Sequence, residues 1–130
     1  SPHNNNKNSN NDNPQILLNI ILRCAFCLGN LTSSNDSNRK FVVLRFGGDN
    51  SMGGILSGLT ASYMRENDDS PEKPLLADTL VKLTRLIANI CINREAAIGL
   101  AVSTGIDSLG SLLMIVIENE KEVRVGVSEA

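Results

Sequence analysis

The sequence predicts an all-α protein built as an α-solenoid of about two helical repeats, and three observations lead to this prediction. First, residues 21–31 (ILRCAFCLGNL) align without a gap with residues 80–90 (LVKLTRLIANI). Second, apolar or small residues recur in both segments at i, i+3, i+4 and i+7, which is the period of one helix face. Third, each segment is followed by a polar loop, a short aliphatic stretch, a glycine and a Leu-rich stretch. Repetition of such a unit is typical of an α-solenoid.

The repeated apolar stripe predicts which residues form the core. Its positions are Ile21, Cys24, Ala25, Leu28 and Leu31 in the first copy, and Leu80, Leu83, Thr84, Ile87 and Ile90 in the second. Aromatic residues make up only 3% of the chain and Trp is absent. The core is therefore expected to consist of Leu, Ile, Val and Ala, which suits stacked helices.

The first repeat unit is expected to cover residues 14–64. It follows an Asn-rich stretch, residues 1–13, which has too few apolar residues to offset the entropy of ordering and is expected to be disordered. Asn13 and Pro14 are typical of a helix N-cap and a first-turn proline. Gly47 and Gly48 provide a helix stop. The predicted helices of this unit are residues 14–31, 38–46 and 51–59.

The second repeat unit is expected to cover residues 75–119. Residues 65–74 are acidic, contain Pro71 and Pro74 and lack aliphatic side chains, so they are expected to form an inserted loop. The predicted helices of this unit are residues 74–92, 94–104 and 107–118. The tail, residues 120–130, alternates like a strand but is equally compatible with the start of a further helix.

One domain at most fits in 130 residues. Because about three repeats are needed for independent stability, we expect these two to be part of a longer array. The net charge of −2 argues against a nucleic-acid-binding module, whose phosphate contacts need a dense basic face. No apolar run is expected to reach the roughly 18 residues of a membrane helix. The chain has three cysteines, and an odd number does not make a disulfide framework. Free cysteines are typical of a reducing compartment.

The order of these features resembles the armadillo repeat. The resemblance covers Cys24–Leu59 and Leu83–Leu113, with the pattern Ala-x-x-Leu-x-Asn-Leu, a loop, an Asn-Arg pair, aliphatic residues, a glycine and Leu-x-x-Leu-Leu. The Asn-Arg pairs are Asn38-Arg39 and Asn93-Arg94. This resemblance implies a right-handed α-solenoid of three-helix repeats, of which the chain contains about two.

Residues 80–93 (LVKLTRLIANICIN) most resemble the armadillo repeat-containing protein 2 family of ciliary and flagellar proteins. That resemblance implies a cytoplasmic adaptor, in a cilium or flagellum, that delivers or docks axonemal complexes. The alternative is a constitutive structural subunit of an axonemal or other large assembly, which uses its convex and end faces.

Four residues of the two long helices are candidates for binding a partner segment. Asn30 and Asn89 match the armadillo asparagine, which lies on the inner face and hydrogen-bonds the backbone of an extended peptide. A carboxamide suits this role because it both donates and accepts hydrogen bonds. The alternative role is an asparagine that ties one long helix to its neighbour. Phe26 and Arg85 stand where armadillo proteins that bind basic peptides carry Trp, so an acidic or neutral partner segment is expected.

No enzyme is expected. The single histidine, His3, lies in the Asn-rich stretch, so no catalytic base is present in the repeats. Cys24 and Cys27 form an isolated Cys-x-x-Cys in mid-helix, without the other ligands that zinc needs, and are expected to be buried small apolar residues. Neither a metal nor a cofactor is predicted. The expected partners are other proteins in a larger complex, with no nucleic acid and no membrane.

Overall fold

The computed structural model describes residues 13–46, 52–104, 109–115, 117 and 118, and almost all of them are helical. No strand occurs within these ranges, so the all-α prediction is confirmed. Residues 109–115, 117 and 118 are called here the C-terminal helical segment. The helices with defined bounds are α1 (Asn13–Thr32), α2 (Asp36–Phe46), α3 (Met52–Arg65), α4 (Lys73–Cys91) and α5 (Arg94–Thr104).

The helix positions largely follow the sequence. The predicted bounds of α1, α4 and α5 agree with the structure to within one residue. Helix α2 begins two residues earlier than predicted, because the side-chain oxygen of Asn35 accepts a hydrogen bond from the backbone N–H of Asn38 (2.9 Å) and caps the helix at Asp36. Helix α3 continues past Leu59 to Arg65, since its glycines lower helix propensity without ending the helix. The predicted disorder before Asn13, the Gly47-Gly48 stop, the predicted helix starts at residues 51 and 107 and the tail lie outside the described residues.

The helices pack with long against long and short against short. Helix α1 makes its largest contact with α4, α2 contacts α5, and α3 contacts both α4 and α5. The core between them is aliphatic, with Met52 as the one exception among the described residues. Its buried apolar members are Leu18, Ala25, Val42, Met52, Leu56, Leu59, Leu76, Leu80, Leu83, Leu86, Ile90, Ala96, Leu100, Leu112 and Ile115.

The turn between α1 and α2 is held by the side chains of Asn38 and Arg39. Arg39 is buried and donates to the carbonyl oxygens of Thr32 (2.8 Å) and Ser33 (2.8 Å). It also pairs with the carboxylate of Asp36 at 2.6 Å. Asn38 donates to the carbonyl oxygen of Leu31 (2.7 Å). These contacts satisfy carbonyl groups that the last turn of a helix leaves without intrahelical partners.

The two Asn-Arg pairs of the sequence repeat do not occupy equivalent positions. Asn38-Arg39 lies inside α2, whereas Asn93 precedes α5 and Arg94 is the first residue of that helix. The structural equivalent of Asn93 is Asn35, because the side-chain oxygen of Asn93 likewise accepts from the backbone N–H three residues later, that of Ala96 (3.0 Å). The prediction that the two Asn-Arg pairs are equivalent in the repeat was therefore wrong. A short loop of variable length separates the long and short helices, and a gapless match does not carry through it.

The predicted inserted loop is a compact connection of residues 66–72. Lys73, the first residue of α4, closes it by donating to the carbonyl oxygen of Glu66 (3.2 Å) and pairing with the carboxylate of Asp68 (2.8 Å). The same ammonium group lies 4.7 Å from the ring centroid of Tyr63 in α3. This connection thereby fixes the end of α3 relative to the start of α4.

The apolar stripe of α1 is only partly buried. Ala25 is buried, but Cys24, Cys27 and Leu31 are exposed, so the prediction that both cysteines are buried was wrong. The residues themselves are apolar enough for a core. They are exposed because, among the described helices, α1 makes its main contacts with α4 and α2, and these side chains lie outside those contacts.

Helix α1 also meets the length and composition of a membrane-spanning helix. Its residues Pro14–Thr32 have a mean hydropathy of 1.4, and 22% of that window is buried. This finding corrects the expectation that no apolar run approaches the length of a membrane helix. The same criterion is met by core helices of soluble proteins and by signal sequences, so it assigns no location.

Candidate protein-interaction surface

The four predicted binding residues lie on one surface, formed by α1 and α4 side by side. The Lys82 ammonium group lies 5.9 Å from the ring centroid of Phe26, and the amide of Asn89 donates to the carbonyl oxygen of Gly29 (2.8 Å). Asn30 follows Phe26 by one helical turn, as Asn89 follows Arg85, so each pair shares a helix face. Together with Arg23 and Lys82, these four residues are called the α1/α4 face.

The two asparagines are in different states. Asn89 is half-buried and ties α4 to α1 through the hydrogen bond to Gly29, which is one of the two roles expected from the sequence. That bond uses one of its two amide hydrogens and leaves its carbonyl oxygen available. Asn30 is exposed. The repeat therefore gives one asparagine that joins the long helices and one that faces solvent.

The α1/α4 face carries more positive than negative charge. Arg23 and Arg85 are exposed, and neither makes a salt bridge to any residue that the structure describes. Lys82 is half-buried and lies 3.8 Å from the Asp78 carboxylate, one turn earlier on α4. Three cations and one carboxylate create a local field that attracts an acidic ligand.

Phe26 supplies the apolar part of this face. Its side chain is 48% exposed although it stands in the middle of a helix that packs on α4. The adjacent Lys82 covers part of the ring through a cation–π contact. A contacting side chain could displace this flexible lysine and bury the ring. The lysine contact was not foreseen from the sequence, although the repeat spacing places Lys82 three residues before Arg85.

A second feature that the sequence did not reveal is an apolar groove on another side of α1. Its volume is about 410 Å³. Helices α1 and α3 form its walls, and Leu83 and Leu86 of α4 also line it. The exposed α1 and α3 side chains in it are Ile20, Cys24, Cys27, Leu31 and Ile55. The exposed groove residues of α1 have repeat equivalents in α4 that are buried.

The described side chains of this face offer groups for binding, and no metal site accompanies them. No cluster of three or more His, Cys, Asp or Glu that could hold a metal ion occurs in the described part of the chain. His3 lies outside it. The α1/α4 face can donate hydrogen bonds through Asn30, attract carboxylates through its cations and bury apolar atoms against Phe26.

Comparison of the chain with protein-family models, with curated proteins and with solved structures found no match.

Proposed function

We propose that this chain is a non-enzymatic interaction module, and that it binds an extended acidic or neutral segment of a partner protein across the α1/α4 face. In this proposal the helices form a right-handed armadillo-type solenoid, and α1 and α4 are the long helices that line its concave side. The pairing of α1 with α4 and of α2 with α5 supports that arrangement, because equivalent helices of successive repeats contact each other in a solenoid.

The observation that carries the proposal is the exposed aromatic ring of Phe26 surrounded by cations and carboxamides. Hydrogen-bonding groups that can pair with a peptide backbone, Asn30 and the free oxygen of Asn89, lie beside it. An exposed aromatic among polar side chains is typical of a binding anchor, since the ring gains burial when a partner covers it. Each of the two adjacent helices presents an asparagine one turn after Phe26 or Arg85, which suits an extended segment lying across both.

The charge of the face selects the partner. Arg23, Lys82 and Arg85 would repel a basic segment and attract a segment that carries Asp or Glu. Because these cations are accessible to solvent, their attraction falls as salt is added. Affinity for an acidic segment should therefore decrease with ionic strength.

The resemblance of residues 80–93 to the ciliary armadillo repeat-containing protein 2 family supports a more specific setting. In that setting the chain is part of a cytoplasmic adaptor, in a cilium or flagellum, that holds axonemal complexes. A second role, as a structural subunit of a large assembly, is favoured by a different observation. The apolar groove beside α1 is a large unpartnered surface, and such surfaces commonly mark contacts between subunits.

The test uses a display library of random ten-residue peptides, selected on the full chain and then measured individually by fluorescence anisotropy. We expect the selected peptides to be rich in Asp and Glu. Arg85→Glu should weaken their binding by about tenfold or more, since it replaces an attraction by a repulsion at the centre of the face. The matched control is Arg94→Glu, which makes the same charge change at an exposed position on α5.

The interpretation depends on comparing the two variants at equal helicity. Loss of binding in Arg85→Glu together with retention in Arg94→Glu supports the α1/α4 face as the binding site. If both variants bind as the unmodified chain does, or if no acidic or neutral peptide is enriched, the proposed function is wrong.

A further inference from the structure

The two copies of the repeat differ in burial at positions where their sequences agree in character. In α4 the buried core positions include Leu76, Thr79, Leu83, Leu86 and Ile90. The residues 59 positions earlier are Leu17, Ile20, Cys24, Cys27 and Leu31, and all five are exposed. Three of them, Leu17 at 58%, Ile20 at 55% and Leu31 at 55%, leave more than half of a large aliphatic side chain in water. Helix α1 thus carries the core face of its counterpart, but none of the helices that the structure describes covers that face of α1 as α4 is covered.

The cover that α4 has and α1 lacks can be identified from the structure. Helix α4 is covered on this face by α1 and by α3. The corresponding position beside α1 is the apolar groove, where Ile20, Cys24 and Cys27 face Ile55 of α3. The groove would be filled by a long helix that lies on α1 as α1 lies on α4, together with a helix that lies on α1 as α3 lies on α4.

The side of α4 that faces away from α1 exposes a surface complementary to the groove face of α1. Helix α1 packs on α4 through residues that include Ala25 and Gly29. The residues 59 positions later on α4 are Thr84, which is half-buried, and Ala88, which is exposed, and the neighbouring Val81 is 53% exposed. Val81, Thr84 and Ala88 are called here the forward face of α4. Their side chains are small and uncharged, as are those with which α1 contacts α4.

The C-terminal helical segment is the structural counterpart of α3. Leu112 and Ile115 are buried as Leu56 and Leu59 are, and the segment lies beside α3 across a shared groove. Its exposed apolar side chains are Leu113, Met114 and Ile117. Met114 lines the groove shared with α3, whereas Leu113 and Ile117 do not.

From these equivalences we propose that the apolar groove beside α1 is occupied by a second copy of this chain, stacked head to tail. Helices α1 to α5 run long, short, medium, long, short, the C-terminal helical segment follows, and a second copy continues that order. Its α1 lies on the forward face of α4 of the first copy, as α1 lies on α4 within one chain. The C-terminal helical segment of the first copy covers the groove of the second, as α3 covers α4.

One polar contact follows from the same equivalence. Within the chain, Asn89 donates to the carbonyl oxygen of Gly29. Across the interface Asn30 of the second copy donates to the carbonyl oxygen of Ala88, which is the residue equivalent to Gly29. The apolar side chains of α1 that form the interface lie on a different side of the helix from Phe26. Asn30 belongs to both surfaces, and this contact uses one of its two amide hydrogens, so the inference does not rest on the proposed peptide binding.

The geometry of this contact makes a specific prediction about stoichiometry. A head-to-tail interface uses two different surfaces of each chain, and unless it closes into a ring each added copy exposes a further free end. Sedimentation velocity of the full chain should therefore show mass increasing with concentration in steps of one chain, 14.0 kDa. A reducing agent is present throughout, so that the exposed cysteines do not cross-link the chains.

Two variants each block one end. Ile20→Glu places a charge on the groove face of α1, and Val81→Glu places one on the forward face of α4. Each alone should weaken self-association by at least about tenfold, because a carboxylate would be buried in an apolar contact without a partner. Cys24→Glu, one turn along α1, serves as a second groove variant. Leu44→Glu is the matched control, since Leu44 is 80% exposed on α2, away from both faces.

The decisive measurement is the equimolar mixture of Ile20→Glu and Val81→Glu. Each variant keeps the surface that the other lacks, so the mixture should form a one-to-one dimer that does not grow further. The inference is overturned if the unmodified chain is monomeric at all concentrations, in which case another helix covers the groove. It is equally overturned if the groove variants associate as the unmodified chain does, or if the mixture stays monomeric.

Discussion

Arg39 illustrates how one buried side chain joins two helices. Its guanidinium group replaces water at the carbonyl oxygens of Thr32 and Ser33 and pairs with Asp36. The planar fork of arginine holds its donors in fixed directions on separate nitrogens, which suits three acceptors spread over a turn, whereas lysine offers its donors from a single nitrogen. The resemblance to the armadillo repeat drew attention to this residue as part of an Asn-Arg pair, and its structural role is to close the turn between α1 and α2.

Arg39→Met should lower the free energy of unfolding by about 2–4 kcal/mol, because it leaves two backbone carbonyls and a carboxylate without their donor. The methionine keeps the apolar stem, so lost packing contributes little. Urea denaturation followed by circular dichroism measures the change. Lys40→Met is the control. It removes an exposed ion pair with Glu95 (3.0 Å) and should cost no more than about 0.5 kcal/mol. Equal costs for the two variants would contradict the role assigned to Arg39.

The two repeat asparagines have different surroundings in the structure. Asn30 and Asn89 occupy the same place in the repeat, and the sequence leaves both the ligand role and the helix-tying role open for each. Asn89 makes the tie because α1 lies on the face that its amide points to. Asn30 has no described helix at the corresponding place. The difference is a property of neighbouring elements, which a single residue position does not encode.

At the scale of the element, the helices were predictable and their burial was not. Hydrophobic period, proline and capping residues place α1, α4 and α5 almost to the residue, because these signals act within a few residues of the chain. Burial depends on which helix lies alongside. Cys24 and Leu83 are equivalent in the repeat, yet Cys24 is exposed and Leu83 is buried, because α3 packs directly on α4, whereas Cys24 lines the open groove between α1 and α3.

Close packing of α5 on α2 requires a glycine at position 99. A Cβ atom there would lie 2.9 Å from Cγ1 of Val43, and a β-branched side chain cannot swing aside as a long flexible one could. Gly99→Ala should therefore destabilise the fold by about 1 kcal/mol, although alanine favours the helix. In a Val43→Ala background the same substitution should become neutral or stabilising. Thermal or urea unfolding of the four proteins in this cycle measures the coupling between the two positions.

Gly58→Ala provides the control for the cycle. Gly58 lies in the interior of α3, and no atom stands within 4 Å of the position that its Cβ would take. The substitution should stabilise the protein by about 0.5–1 kcal/mol through helix propensity alone. If Gly99→Ala stabilises as much as Gly58→Ala does, α2 and α5 are not as closely packed as the structure indicates.

At the scale of the whole molecule, the aliphatic core and the all-α class followed from composition and period. The distribution of exposed apolar surface could not be predicted in this way, because it depends on which helices lie beside each repeat. The α1/α4 face and the apolar groove are consequently two separate features of α1. The first was expected from its residues, and the second emerged only from comparing α1 with α4.

Acid should weaken the fold at the connections between helices. The hydrogen bond from Arg39 holds the pKa of Asp36 below its ordinary value of 3.8, with burial opposing it, and the hydrogen bond from Lys73 does the same to the pKa of Asp68. Because these pKa values are lower in the folded state, the unfolded chain takes up the protons first. The stabilisation is thus complete above about pH 4 and is lost as the pH falls through the folded-state values.

The urea midpoint, measured at intervals from pH 7 to pH 2, should therefore show no loss attributable to these two carboxylates until the pH nears 4, and a steep decline below it. The double variant Asp36→Asn/Asp68→Asn should begin with a lower midpoint at neutral pH and decline less steeply in acid, since the asparagines bind no proton. Asp69→Asn, in the same connection as Asp68 but outside both ion pairs, should follow the unmodified protein. A double variant with an undiminished slope below pH 4 would place the acid sensitivity elsewhere. A reduced slope would place the acid sensitivity in the two connections that these side chains close, the turn between α1 and α2 held by Arg39 and the connection between α3 and α4 held by Lys73.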